Sequence, residues 1–265
     1  MMAWAHVLRG RGAGGAVMVQ ALALMPPLAV TLWLGGGPAV LVLGVALAVV
    51  LGWDLVFALV RQRPFVPLGV TTAAIVALFV PPDMPIWHLV VALTLGTVIG
   101  ERVFGGRGFG FLSPAAVTLA FALVSLPDLS LVMPGPALAL ACLPGAALLL
   151  VMGLISLPVV LAFSAVLALA LQVTTLAGGT AVLIICAAPL IFVICEPTAA
   201  AVTNAGRILY GALAGYLTWV FSGFGTQPPP LEALVFAALL ASLFAPMLDH
   251  LVVSAHLWRR RQRHG

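Results

Sequence analysis

Four carboxylates, Asp54, Glu101, Glu196 and Asp249, lie inside or at the ends of long apolar runs. In hydrocarbon an acid costs roughly 2.5–3.5 kcal/mol at mid-depth, so one that persists there faces a partner, a cavity or an ion path. Two readings stay open for all four. They are members of an ion pathway, or they are interfacial acids paired with Arg61, Arg102 or Arg207. Two further features have chemical potential. Ser113-Pro114-Ala115-Ala116 and Glu196-Pro197-Thr198-Ala199 each place a polar residue before a proline, a pattern suited to a helix start with Pro at the first helical position. The Gly105-Gly106-Arg107-Gly108-Phe109-Gly110 run would bring backbone amides to an anion ahead of a helix, or serve only as a cytoplasmic turn. His88 stands alone and reads as a buried or interfacial histidine. Cys142, Cys186 and Cys195 lie in apolar runs with no Cys-x-x-Cys spacing. They read as small buried hydrophobes, with no disulfide framework and no metal site. No Ser/His/Asp set, no His-x-x-x-His pair and no lysine occurs.

The elements that must hold these residues are almost wholly apolar. The chain has 265 residues, 63% hydrophobic and 7% charged, with mean hydropathy +1.25. A soluble domain carries roughly 25% charged residues, so this inventory cannot build a water-facing surface. It predicts one integral membrane domain over residues 1–265. Runs bounded by Pro, Gly and Arg fall near 17–35, 38–60, 66–80, 85–101 and 111–127, then 135–156, 158–173, 179–195, 206–222 and 231–253. The expected fold is all-α: a polytopic transmembrane bundle of about ten helices in two five-helix repeats. Several runs fall short of the roughly 20 residues that span a bilayer, so some helices are expected to be tilted, broken or re-entrant.

Charge supplies an internal check. The net charge is +4, and all eleven basic residues are arginine. With the N-terminus inside, Arg9 and Arg11, Arg61 and Arg63, Arg102 and Arg107, Arg207, and Arg259 to Arg263 all fall on one side. Only Asp83, Asp128 and Glu232 fall on the other. This is the positive-inside pattern, and a miscounted span would split the arginines between sides. The expectation is a bacterial inner-membrane protein with both termini cytoplasmic and a retained first helix rather than a cleaved signal. The basic excess reads as orientation and headgroup contact, so the expected partner is the bilayer, not nucleic acid. Composition and spacing thus lead to a membrane carrier or an electron-transport subunit and do not choose between them.

Particular stretches narrow the choice. Trp53 to Arg61, Phe79-Val80-Pro81-Pro82-Asp83-Met84-Pro85-Ile86-Trp87, and Val103-Phe104-Gly105-Gly106 through Phe111-Leu112-Ser113-Pro114-Ala115 resemble a family of redox membrane subunits. So do Glu196-Pro197-Thr198-Ala199-Ala200 with Thr203-Asn204-Ala205-Gly206-Arg207, and Leu243 to His250. This is the NqrB/RnfD family, which comprises a membrane subunit of the sodium-pumping NADH:quinone oxidoreductase and its counterpart in the Rnf electron-transport complex. The resemblance spans most of residues 45–258 in order. It implies a two-repeat membrane subunit of a redox-driven ion pump, at most a subunit of an oxidoreductase, working beside other redox or membrane subunits. It makes Asp54, Asp249, Glu196 and Glu101 the ion-pathway candidates, with Na⁺ or H⁺ as cargo. Ser113, Pro114, Pro197, Thr203 and Asn204 become the helix-break and motif candidates.

The departures also carry expectations. The family bears a flavin on the threonine of Ser-Gly-Ala-Thr, and that tetrapeptide occurs nowhere in the chain. Gly178-Gly179-Thr180 corresponds to another family segment and is no substitute. The family's Asn-Pro and Asp-Pro are here Ser113-Pro114 and Glu196-Pro197, a membrane glutamate is Asp54, and the chain is shorter than typical members. No covalent FMN is therefore expected, while a non-covalent flavin remains open. Two alternatives stand beside the pump subunit: a stand-alone channel or carrier on the same two-repeat fold, and a membrane anchor for a partner redox protein.

Overall fold

The computed structural model describes residues 13–62, 64–106, 109–126, 128–173, 179–197, 199–223 and 231–264. Arg9, Arg11, Arg63, Arg107, Gly108, Thr198 and Gly178 lie outside the described residues, as do the side chains of Arg259, Arg260, Arg261 and Arg263. The described residues are helical, with no strand among them. In chain order the helices are α1 (Ala13–Val60), α2 (Val70–Phe79), α3 (Ile86–Thr97), α4 (Pro114–Ser125) and α5 (Pro136–Val151). They continue with α6 (Leu157–Val173), α7 (Gly179–Pro189), α8 (Asn204–Phe221) and α9 (Leu231–His264). Two wider π turns, Val98–Arg102 and Leu190–Ile194, extend α3 and α7.

The 48-residue α1 is not one rod. Gly36 inside it has φ 59° and ψ −145°, a conformation open to glycine and closed to residues with a Cβ. A straight helix of that length would hold its ends about 70 Å apart. Yet a Cβ on Gly14 would stand 3.7 Å from Val66 Cγ1, and the six residues from Val60 to Val66 extend only about 20 Å. The helix therefore turns back at Gly36, at the boundary between the first two apolar runs. Two helices, Gly14–Val60 and Leu231–Trp258, are long and apolar enough to cross a membrane by length and composition. Elsewhere the expected runs are trimmed. The third shrinks from 66–80 to Val70–Phe79, the fifth from 111–127 to Pro114–Ser125, and the sixth from 135–156 to Pro136–Val151. The last run, expected to end at 253, continues as helix to His264. Apolar residues in an adjoining loop extend a hydropathy run without extending the helix, and an arginine tail ends a run without ending the helix.

The helices approach through small residues, as membrane helices do when apolar surroundings offer no hydrophobic drive to pack. A Cβ on Gly211 of α8 would stand 2.5 Å from the Val159 carbonyl oxygen of α6, and one on Gly215 would stand 2.8 Å from that of Phe163. Gly145 of α5 meets the Ala23 backbone, and Gly96 of α3 meets Thr118 of α4, in the same manner. The buried face forms one contiguous apolar core. The outside is apolar too: Trp33, Leu34, Leu59, Leu140, Leu161 and Leu169 are all exposed. In a water-soluble monomer so much exposed apolar surface would be a liability.

Connections gather at two ends. Val132 N donates to the Phe79 carbonyl oxygen at 2.8 Å, and Leu131 N to Glu232 Oε1 at 3.0 Å. The chain after α2, the α4–α5 connection and the start of α9 thus meet. Elsewhere Arg61 Nη2 donates to the Arg102 carbonyl oxygen at 2.5 Å, joining the chain after α1 to the chain after α3.

Candidate functional site

Ser113 and Glu196, 83 residues apart in sequence, meet through their side chains in the buried interior. Ser113 is the N-cap of α4, with Pro114 at the first helical position. Its hydroxyl oxygen accepts from Ala116 N at 3.3 Å. The same hydroxyl donates to Glu196 Oε2, so its donor and acceptor capacities are both used. Ser113 is 1% exposed and Glu196 2%, which places this hydrogen bond in the interior rather than at a hydrated rim.

Glu196 arrives there because α7 does not continue. The helix widens into the π turn Leu190–Ile194 and leaves it through Cys195. Such turns release backbone carbonyls from the regular ladder, and they recur at functional sites. One released carbonyl, that of Ile194, accepts from the fully buried Tyr210 hydroxyl at 2.9 Å. The expectation that Glu196-Pro197 starts a helix is corrected here. Ala199 N and Ala200 N both reach the Glu196 carbonyl oxygen, closing a single turn, and the next helix begins only at Asn204 with Thr203 as its N-cap. Thr203 can cap where Glu196 cannot. Its short hydroxyl accepts from Gly206 N at 3.0 Å, whereas the Glu196 carboxylate is drawn across to Ser113.

The other candidate acids do a shared kind of work. Asp54 is 3% exposed. Its Oδ2 accepts from Gly69 N at 3.0 Å, at the start of α2, and its Oδ1 pairs with Arg102 Nη2. Glu101, 4% exposed, has Oε1 at 3.3 Å from the same Nη2. Asp54 and Glu101 thus share one guanidinium, and the cluster is buried rather than hydrated. Asp249, half-buried on α9, grips the start of α8. It accepts from Val202 N at 2.8 Å, Thr203 N at 3.0 Å and Thr203 Oγ1 at 2.5 Å. Asn204, the first residue of α8, is exposed. In both halves of the chain, therefore, an acid on a long helix receives backbone N–H groups from the start of a neighbouring helix, where such donors lack partners and favour negative charge.

Hydrogen bonds and ion pairs sort the candidates into three groups: Ser113 with Glu196, each next to its proline; Asp54 and Glu101 about Arg102; Thr203 with Asp249. Residue reasoning missed Tyr210 and Gly69. Tyr210 carried a signal, as one of only two tyrosines in the chain and set in an apolar helix, where a buried hydroxyl needs a partner. Gly69 carried none. His88 is buried against Trp87, with ring centroids 4.7 Å apart, and its Nδ1 has no hydrogen-bond partner among the described residues. Among the described residues no three His, Cys, Asp or Glu side chains converge to hold a metal ion.

Among the described residues, a helical bundle with an apolar exterior and small-residue helix contacts fits a protein surrounded by lipid. Comparison with known proteins narrows the class. The family model described as the NQR2, RnfD, RnfE family matches residues 2–134 and 128–257, and the chain belongs to that family. Among curated relatives, the B-subunit of the Na(+)-translocating NADH-quinone reductase of Chromohalobacter salexigens is 28% identical over 266 residues, covering 80% of this chain and 64% of the relative. The protein of the same description from Pseudomonas aeruginosa is 27% identical over 270 residues, covering 80% of this chain and 66% of the relative. The chain thus spans just under two thirds of the length of these relatives.

Proposed function

We propose that this chain is a membrane subunit of an electron-transport complex that couples redox chemistry to cation movement across the bacterial inner membrane. The relatives are described by Na⁺ translocation, which favours Na⁺ over H⁺ as the cargo. The observation that carries the reading is the buried Ser113–Glu196 hydrogen bond at the meeting of two helix breaks, in a member of this family. Helix ends and unwound backbone carbonyls gathered about a buried site are how secondary transporters seat small cations. Glu196 is the first ion-pathway candidate, with Ser113 positioning it. Asp249, Asp54 and Glu101 follow, each already engaged by backbone N–H groups or by Arg102.

The finer architecture belongs to the same proposal. Divided at Gly36, with the π turns joined to their helices, the described segments correspond to ten spans in two sets of five within one membrane domain. The grouping of connections supports that alternation. Chain after the second and fourth segments meets through Arg61 and Arg102, and chain around the third, fifth and tenth meets through Phe79, Val132, Leu131 and Glu232. Odd and even ends thus separate, and the placement of the arginines supports the even ends as the cytoplasmic ones. The partners are the bilayer and other subunits of the complex. Covalent FMN does not fit this chain, because the α4–α5 connection from Leu126 to Gly135 contains no threonine. Any flavin would be held non-covalently.

Purification in mild detergent tests the reading. Co-purifying redox subunits and Na⁺-stimulated electron transfer are expected, and Glu196→Gln should remove the Na⁺ stimulation at unchanged abundance. A colourless self-oligomer that conducts an ion or solute without a donor would replace the reading with the carrier.

A further inference from the structure

A second polar place lies away from Glu196. Asp54, Phe57, Arg61, Pro64, Val66 and Arg102 line a cleft of about 260 Å³, with Gly105, Gly106 and Phe109 also on its lining. That is several times the roughly 30 Å³ share of one water in the liquid. Arg102 is 7% exposed. Its Nη2 serves the two acids, while its buried Nε has no hydrogen-bond partner among the described residues. A buried donor left in that state costs free energy unless an acceptor reaches it. Arg61 is the second cation. One of its nitrogens holds the Arg102 carbonyl, and its guanidinium sits 5.1 Å from the Phe57 ring centroid, so most of its donors remain for a ligand. The glycine turn shapes the cleft without supplying amides, since Gly105 N and Gly106 N already close on the Arg102 and Glu101 carbonyls. Gly105 and Gly106 have φ 113° and 111°, and a Cβ on Gly106 would meet open space.

We propose that this cleft binds a phosphate group, with Arg102 Nε and the Arg61 guanidinium as its donors. Guanidinium geometry matches phosphate oxygens, and charge-assisted bonds of this kind are the strong ones. Phosphate rather than a cation is indicated because Asp54 spends its two oxygens on Gly69 N and Arg102. The two chain segments also hold Arg61, Arg63, Arg102 and Arg107 against Asp54 and Glu101, a positive excess. Two sources share this chemistry. One is the headgroup of an anionic phospholipid, whose glycerol end would lie along Phe57, Val66 and Phe109. The other is a soluble phosphate ester.

The test uses the full chain purified in neutral detergent, the wild type beside Arg61→Gln and Arg102→Lys. The lysine keeps a cation for Asp54 and removes Nε, and Arg61 is only partly buried, so Arg61→Gln remains informative if Arg102→Lys does not fold. Native mass spectrometry after exchange into phosphatidylglycerol, and ³¹P line broadening of glycerol 3-phosphate, report the two sources. The expected result is retention of phosphatidylglycerol by the wild type and about tenfold weaker retention in each variant, the loss of one charge-assisted bond. Broadening of glycerol 3-phosphate without lipid retention, lost in the variants, supports the site with a soluble source. Neither probe binding, or both binding the folded variants as well as the wild type, overturns it.

Discussion

The Asp54 and Glu196 regions hold buried carboxylates of nearly equal exposure, 3% and 2%, under different chemical terms. Asp54 faces a guanidinium and a backbone N–H. Glu196 faces a serine hydroxyl that is itself fixed at a helix start. A formal ion pair locks both members into their charged forms, because losing either leaves an uncompensated buried charge. A carboxylate held by a hydroxyl can give up or exchange a cation without stranding an opposite charge. The first arrangement suits a strut between helix ends and the second suits an exchange point. The two regions differ in the group set against the carboxylate, a guanidinium at Asp54 and a hydroxyl at Glu196.

Arg102→Ala should have the largest effect on that contrast, since it removes the guanidinium that buried Asp54 and Glu101 share. A loss of about 3–5 kcal/mol is expected, measured as unfolding in mixed detergent. Replacing all three members together, Asp54→Leu, Glu101→Leu and Arg102→Met, should recover much of it, because exchanging a whole buried ionic triad for apolar residues of similar volume is often neutral. If Arg102→Ala unfolds like the wild type, the strut reading fails. Ser113→Ala should cost less, about 1–2 kcal/mol for the lost N-cap, and should alter cation response as well as stability. Ser113→Thr, which keeps the hydroxyl, should restore most of both. Tyr210→Phe removes only the bond to the Ile194 carbonyl, and about 1 kcal/mol is expected. A loss of activity without a loss of stability there would move Tyr210 into the pathway itself.

Some of this was legible in the residues. Pro-bounded apolar runs located the helices, and Ser113-Pro114 correctly announced a helix start because capping is a local property of adjacent residues. Pairing of acids with arginine was among the open readings, and Arg102 joins Asp54 and Glu101. Three things were hidden. Helices apolar on every side carry no periodic polar face to say which way they pack, so the meeting of Ser113 with Glu196 had no local signature. The π turn after α7 lies in an apolar stretch, Leu190 to Ile194, indistinguishable by composition from regular helix. Glu196-Pro197 resembles Ser113-Pro114 as a pattern, but its long carboxylate reaches another helix and leaves the capping to Thr203. The turn-back at Gly36 was marked by Gly35-Gly36-Gly37-Pro38, although the helical hydrogen-bond pattern runs almost unbroken through it.

The central proposal is that Glu196 couples cation movement to electron transfer. It is tested most directly by electron-transfer-driven Na⁺ uptake into inverted membrane vesicles carrying wild-type or Glu196→Gln chain at matched abundance. Glutamine still accepts from Ser113, so the variant should assemble and unfold as the wild type does. Its Na⁺ uptake should fall by about tenfold or more, equivalent to roughly 1.4 kcal/mol or more on the limiting barrier. Unchanged uptake in an equally abundant, equally stable variant would contradict the account.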